Sequence, residues 1–226
     1  MDYLYFGRRI AVLLLIAACP LALSAATDVS LQGTFLADDS LRSFWVKITT
    51  PSTVTMKTLS YAGGENSLGE TVEGGGFAPV LTLFSGLNDP NGIMMVTNDE
   101  GGCGAVGMDA ATLRCSDSFL LVDLQPGFYT LVLSQTGNTA NGPFGAGFTR
   151  AGQINYTGLE FVGMPDMFWD GTPSKRTDFW AVDILNADSA GPIPEPATFL
   201  ILGTGLIALR YLPRRMRRSQ ISASRN

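Results

Sequence analysis

The sequence predicts an all-β domain, a two-layer β-sandwich with jelly-roll-like or Greek-key-like connections, flanked by an N-terminal signal peptide and a short C-terminal transmembrane helix. Three observations carry this expectation. Short runs rich in β-branched and aromatic residues alternate apolar with polar positions. Clusters of Gly, Pro, Asn and Asp separate those runs. Between the two ends no long stretch shows a helical period. A length of 226 residues with 46% hydrophobic content suits one ordinary domain with short appendages.

The first element is residues 1–26. Arg8 and Arg9 precede an apolar run over 10–23, followed by Ser24-Ala25-Ala26 and then a polar sequence. That order of charge, apolar run and small residues is the layout of a signal peptide cut by signal peptidase. A transmembrane helix is disfavoured because the run is short and contains Pro20. Ile16-Ala17-Ala18-Cys19 also looks like a lipoprotein processing box, and lipidation of Cys19 stays open as a competing reading, weakened by Pro20.

The second element is the β-domain, residues 27–187. Phe44, Val46 and Ile48 alternate with Trp45, Lys47 and Thr49, and Val54 and Met56 alternate with Thr53, Thr55 and Lys57. Further strands are expected at 80–84, 93–97, 119–124, 128–134 and 178–185. Several are apolar on both sides, as two packed layers require. Residues 27–193, the domain with the segment after it, number 167, and a body of this size buries about two-thirds of its unfolded surface, enough for a single core. The glycine-rich segments around 63–64, 74–76, 101–104 and 138–147 read as loops. Residues 188–193 read as a linker.

The third element begins at Pro194-Glu195-Pro196. The prolines block a helix upstream, so an apolar helix is expected over 197–212, short for a full membrane span. Arg210, which reaches to the interface from the end of this stretch, and Arg214, Arg215, Arg217 and Arg218 after it form a basic anchor that holds this end on the cytoplasmic side of the inner membrane. Pro-Glu-Pro, short apolar helix and arginine cluster together resemble the PEP-CTERM sorting signal over residues 194–226. The resemblance implies export, retention in the inner membrane, and cleavage near Pro-Glu-Pro by an exosortase-type transpeptidase. It also implies a final place at the cell surface or in the extracellular matrix, in association with exopolysaccharide.

The order of segments in the body carries a second resemblance. Pro51-Ser52-Thr53-Val54-Thr55, Phe77-Ala78-Pro79-Val80-Leu81-Thr82-Leu83-Phe84, Thr97-Asn98-Asp99-Glu100-Gly101-Gly102 and Leu124-Gln125-Pro126-Gly127-Phe128-Tyr129 look like β-sandwich domains related to bacterial pre-peptidase C-terminal domains. Such domains are noncatalytic modules, some of which bind calcium, carbohydrate or protein polymers.

Charge and composition narrow the function. Residues 27–193 hold 7 basic and 18 acidic residues, a body charge of −11, while the overall −5 averages in basic tails. An acidic body argues against nucleic acid as a partner. With no histidine in the chain, Ser-His-Asp and Cys-His catalysis are excluded, as is every His-containing metal site. Neither a nucleophile elbow nor a phosphate loop is present, and a carboxylate pair among 18 acids carries almost no signal for a glycan hydrolase.

Two cysteines, Cys103 and Cys115, remain after the signal peptide and are expected to form a disulfide, with a free pair as the alternative. Asn98, Asp99, Glu100 and Asp109 bracket that loop. Their oxygens make a candidate Ca²⁺ site, against ordinary turn chemistry as the competing reading. Tyr61, Phe168 and Trp169 lie at predicted loops and are candidates for stacking on sugar rings, against a role in plugging the sandwich ends. The reading is a noncatalytic surface protein, adhesive or structural. A carbohydrate-binding module is the alternative, and a secreted hydrolase ranks below both.

Overall fold

Eleven strands form the domain in the computed structural model, which describes residues 27–194. They are β1 (Thr27–Thr34), β2 (Arg42–Ile48), β3 (Ser52–Thr58), β4 (Gly64–Glu65), β5 (Thr71–Val72), β6 (Pro79–Ser85), β7 (Met94–Asn98), β8 (Phe119–Leu124), β9 (Gly127–Gln135), β10 (Phe179–Ala187) and β11 (Ser189–Pro192). A short helix, α1 (Tyr156–Phe161), lies between β9 and β10. One layer has the order β1-β10-β3-β8 and the other β11-β2-β9-β6-β7, with β4 and β5 as a separate hairpin. The β2–β3 arch crosses between layers, and so does β8–β9. β2 pairs with β9 and β3 with β8, both antiparallel, so the two arches connect the layers of the expected sandwich.

The alternation in the sequence now has a physical reason. Phe44, Val46 and Ile48 of β2 and Val54 and Met56 of β3 are buried between the layers, while Trp45 and Lys47 point outward. Leu81, Leu83, Leu131 and Leu133 face them from β6 and β9, and Trp180 meets Phe44 edge-on at 5.7 Å. Strands apolar on both sides are covered twice. Phe84 and Val132 sit on the outer face, under Phe148 and Phe144 of the segment after β9.

Two expectations need correction. Residues 189–192, read as linker, form edge strand β11, paired with β2 from Ser189↔Lys47 to Pro192↔Phe44. Gly191 permits this because a Cβ there would lie 3.0 Å from the Trp45 ring. Residues 27–34, where no strand was expected, form β1 along β10. The signal peptide (1–26), the apolar helix (197–212) and the arginines at 210, 214, 215, 217 and 218 lie outside the described residues. Among the described residues no helix is long and apolar enough to cross a membrane.

The end of the sandwich holding the 35–41, 59–78, 99–118 and 136–178 connections is closely folded. Gly76 shows how tightly: its N–H donates to Ser60 O at 2.8 Å, and an added Cβ would lie 2.3 Å from Phe179 O. Both neighbours are backbone atoms, so they cannot swing aside. Gly76→Ala is expected to cost about 2 kcal/mol. An unchanged denaturant midpoint would show that the connection shifts freely.

Candidate functional site

The candidate site is built at this loop end, where β3 ends and β8 and β10 begin. Its first part is the Asp117 carboxylate, just before β8 and 1% exposed. Oδ1 accepts from Thr58 Oγ1 (2.8 Å), Ser60 N (2.8 Å) and Tyr61 N (3.0 Å), and Oδ2 accepts from Ala62 N (2.9 Å). Four donors converging on one carboxylate turn the chain after β3 inward. Tyr61 is thereby driven into the interior, fully buried.

The second part is the buried Arg176 guanidinium, which lies 3.9 Å over the Tyr61 ring centroid. Nε donates to Gly76 O (3.0 Å), one terminal nitrogen to Tyr61 O (2.7 Å) and the other to Asp109 Oδ2 (3.3 Å). Tyr61 Oη donates to Asp170 Oδ2 at 2.6 Å and stands 2.9 Å from Thr112 Oγ1. Burial and the Asp170 carboxylate push the Tyr61 phenol up. Burial alone would raise Asp109, but hydrogen bonds from Thr112 and Arg176 and the guanidinium charge hold it below the usual carboxylate range. Asp170 is likewise held low, because bonds from Thr172, Tyr61 and Ser174 outweigh its burial. A small cavity of about 100 Å³ adjoins this network, with Glu100 and Asp170 among its lining acids.

Asp38 organises a third part and is fully buried. It accepts from Thr157 N (2.8 Å), Thr157 Oγ1 (2.6 Å) and Phe168 N (2.7 Å), tying the 35–41 loop to α1 and the segment before β10. Burial raises its pKa despite these bonds. Each carboxylate in these three parts is committed to internal donors. The arrangement holds loops in place and fixes the shape of this end.

The expected site residues fare unequally. Cys103 and Cys115 form the disulfide, with Cα atoms 5.0 Å apart. Closing such a loop contributes about 3 kcal/mol in the chain-entropy picture. The calcium candidates are committed elsewhere. Asn98 Oδ1 accepts from Phe119 N and its amide donates to Glu100 O, Asp99 Oδ2 accepts from Thr136 Oγ1, Glu100 faces Ser116 and Arg114, and Asp109 is turned to Arg176. Among the described residues no group of three or more His, Cys, Asp or Glu is placed to hold a metal ion.

Of the stacking candidates, Tyr61 has no accessible face. Phe168 is buried against Phe77, its ring centroid 6.0 Å away. Both are corrected to core residues, because Asp117 and Asp38 pull their backbones inward. Trp169 is half-buried, with Nε1 donating to Asp166 at 3.0 Å and Lys175 Nζ 5.6 Å from its ring. The hydrogen bonds from Lys175 and Trp169 hold the exposed Asp166 carboxyl down at about 2. Asp170 and Arg176 carried no site signal in the sequence, while Asp117 and Asp38 stood out only as weaker neighbours of the calcium candidates. The partners of Arg176 lie 67 to 115 positions away.

Pro194 is exposed at the point where the chain leaves the fold, while Glu195 and Pro196 lie outside the described residues. The fold is thus an all-β sandwich with one disulfide, whose C-terminal strand runs directly into the proline motif. Residues 192–215 match the PEP-CTERM protein-sorting motif. This motif implies an exported, membrane-anchored precursor, processed by exosortase and sorted to the cell surface. The match does not reach the sandwich core, and no curated protein matches the chain.

Proposed function

We propose that the chain is a noncatalytic surface protein whose disulfide-clipped sandwich is carried outside the inner membrane by its sorting signal and serves in matrix or envelope interactions. The observation that carries this reading is continuity: the sorting motif begins at Pro192, the last residue of β11. Only Glu195 and Pro196 separate Pro194 from Ala197, where the apolar helix is expected. Three peptide steps span at most about 11 Å, so the anchored body rests close to the membrane. A noncatalytic role agrees with carboxylates that are occupied by backbone and hydroxyl donors. A carbohydrate-binding role now rests on Trp169 alone among the aromatic candidates, and its ring is already braced by Lys175.

Fractionation and intact mass from an exosortase-bearing host test the reading. The expected product has lost the residues before Thr27 and those beyond the Pro-Glu-Pro region, and it is found outside the inner membrane. An uncut chain in the cytoplasm would overturn it.

A further inference from the structure

Three exposed aliphatic side chains stand beside the point where the chain leaves the sandwich. β11 runs antiparallel to β2, and past its last pair, Pro192↔Phe44, Ile193 N donates to Ser43 O at 2.9 Å. The chain therefore leaves over the start of β2, toward the 35–41 loop, and Pro194 is exposed there. Leu41 lies two residues from Ser43, a reach of at most about 7 Å. Ser40 N donates to Ala37 O at 3.1 Å, so the loop folds back and brings Leu36 toward Leu41. Both border one cleft of about 450 Å³, together with Ser40, Arg42 and Trp180. Asp38 N donates to Ile154 O at 3.1 Å, which sets Ile154 against the same loop. Leu36 is 93% exposed, Ile154 58% and Leu41 39%. The backbone beneath them is held firmly. Asp38 is tied to Thr157 and Phe168, and Asp39 Oδ2 accepts from Gly152 N at 2.9 Å. Both acids of the loop are thus turned to internal donors, and residues 150–155 contain no acid. On an acidic body that an anionic surface would repel, this is a stretch where carboxylates are withdrawn.

Exposed apolar side chains grouped within a polar surround mark an interaction surface. The sorting motif matched over 192–215 identifies what lies against this one, because a membrane-anchored precursor holds the exit point next to the bilayer. We infer that Leu36, Leu41 and Ile154 form a membrane-docking tip that seats the loop end of the sandwich on the lipid surface. The inference rests on the anchored reading above. The three side chains enter at the level of the headgroups, as the apolar face of an interfacial segment does. The tether beside them keeps the local concentration of bilayer high, so a contact too weak to recruit a free protein is enough to orient an anchored one. Docking turns the loop end toward the membrane and leaves the β2–β3 and β8–β9 turns outermost, at the opposite end of the strands.

The full chain carrying Cys19→Ser, reconstituted in vesicles of phosphatidylethanolamine and phosphatidylglycerol, tests this. One environment-sensitive fluorophore is attached at Leu36→Cys or, as the control, at Leu121→Cys, 62% exposed on β8. Cys103 and Cys115 are closed in their disulfide and take no label. With lipid spin-labelled near the headgroup, quenching at position 36 is expected to be at least about threefold that at 121. Equal quenching at the two positions overturns the docking. Leu41→Ser with Ile154→Ser removes the apolar neighbours and keeps the tether, and quenching at 36 is expected to fall at least about twofold. Unchanged quenching in that variant means that the tether alone holds position 36 near lipid, and it also overturns the docking. An alkaline carbonate wash of the same vesicles tells the two readings apart. A chain that resists the wash with position 36 unquenched sinks the docking and spares the anchor. A chain stripped by the wash sinks the anchored reading, and the docking with it.

Discussion

Replacing Asp117 with alanine is expected to destabilise the fold by about 3–5 kcal/mol, lowering the melting temperature by on the order of 10 °C. The side chain is almost inaccessible and collects the hydroxyl of Thr58 and three successive backbone amides. Without it, those donors stay buried where water has little room. Thr58 is also engaged by Ser118 N at 2.8 Å, so the disturbance reaches the pairing of β3 with β8. Asp117→Asn separates charge from geometry. It keeps one acceptor but turns an amide donor toward another donor, and about half the loss is expected. Thermal unfolding followed by circular dichroism measures both variants. An alanine variant that melts within a degree or two of the parent would show that the turn after β3 holds itself.

This carboxylate also marks where sequence reading stops. Alternating strands were legible because a half-buried strand needs apolar residues at every second position, and Phe44, Val46 and Ile48 supply them. The 119–124 strand has the bounds expected from its composition. β1 escaped because its apolar side is short: Val29 and Leu31 alternate with Asp28, Ser30 and Gln32, and Gly33 then interrupts the pattern before Phe35. It is a strand because β10 pairs along it and Trp180 covers Gly33, where a Cβ would lie 2.5 Å from the ring. β11 escaped because Gly191 and Pro192 are loop residues by composition, yet an outward-facing edge admits proline. Tyr61 was misplaced for a different reason. Ser60 and Gly63-Gly64 around it resemble a solvent loop, and the group that pulls them inward lies 56 residues away. Local patterns report strands; long-range hydrogen bonds from single carboxylates leave no local pattern.

Replacing Arg176 with methionine is expected to cost about 3–5 kcal/mol, the range for removing one partner of a buried ion pair. Methionine keeps much of the packing against Tyr61 but strands the Asp109 carboxylate and the carbonyls of Gly76 and Tyr61. The pH dependence gives a second readout. A carboxyl held below its ordinary value adds stability above about pH 4, and loses it as pH falls through the lowered folded-state value. Asp109 and Asp170 act in this sense. Asp38, raised by burial, acts oppositely, because ionising it in the fold costs stability as pH rises. The parent should therefore lose the Asp109 contribution below pH 4, and Arg176→Met should lose less there because Asp109 is no longer held low. Adding Asp109→Asn to Arg176→Met removes the stranded charge, and recovery of about 1–2 kcal/mol is expected from the coupling of contacting residues. If the double variant recovers nothing, the ion pair is incidental, and Arg176 acts through its two carbonyl bonds and its place over the Tyr61 ring.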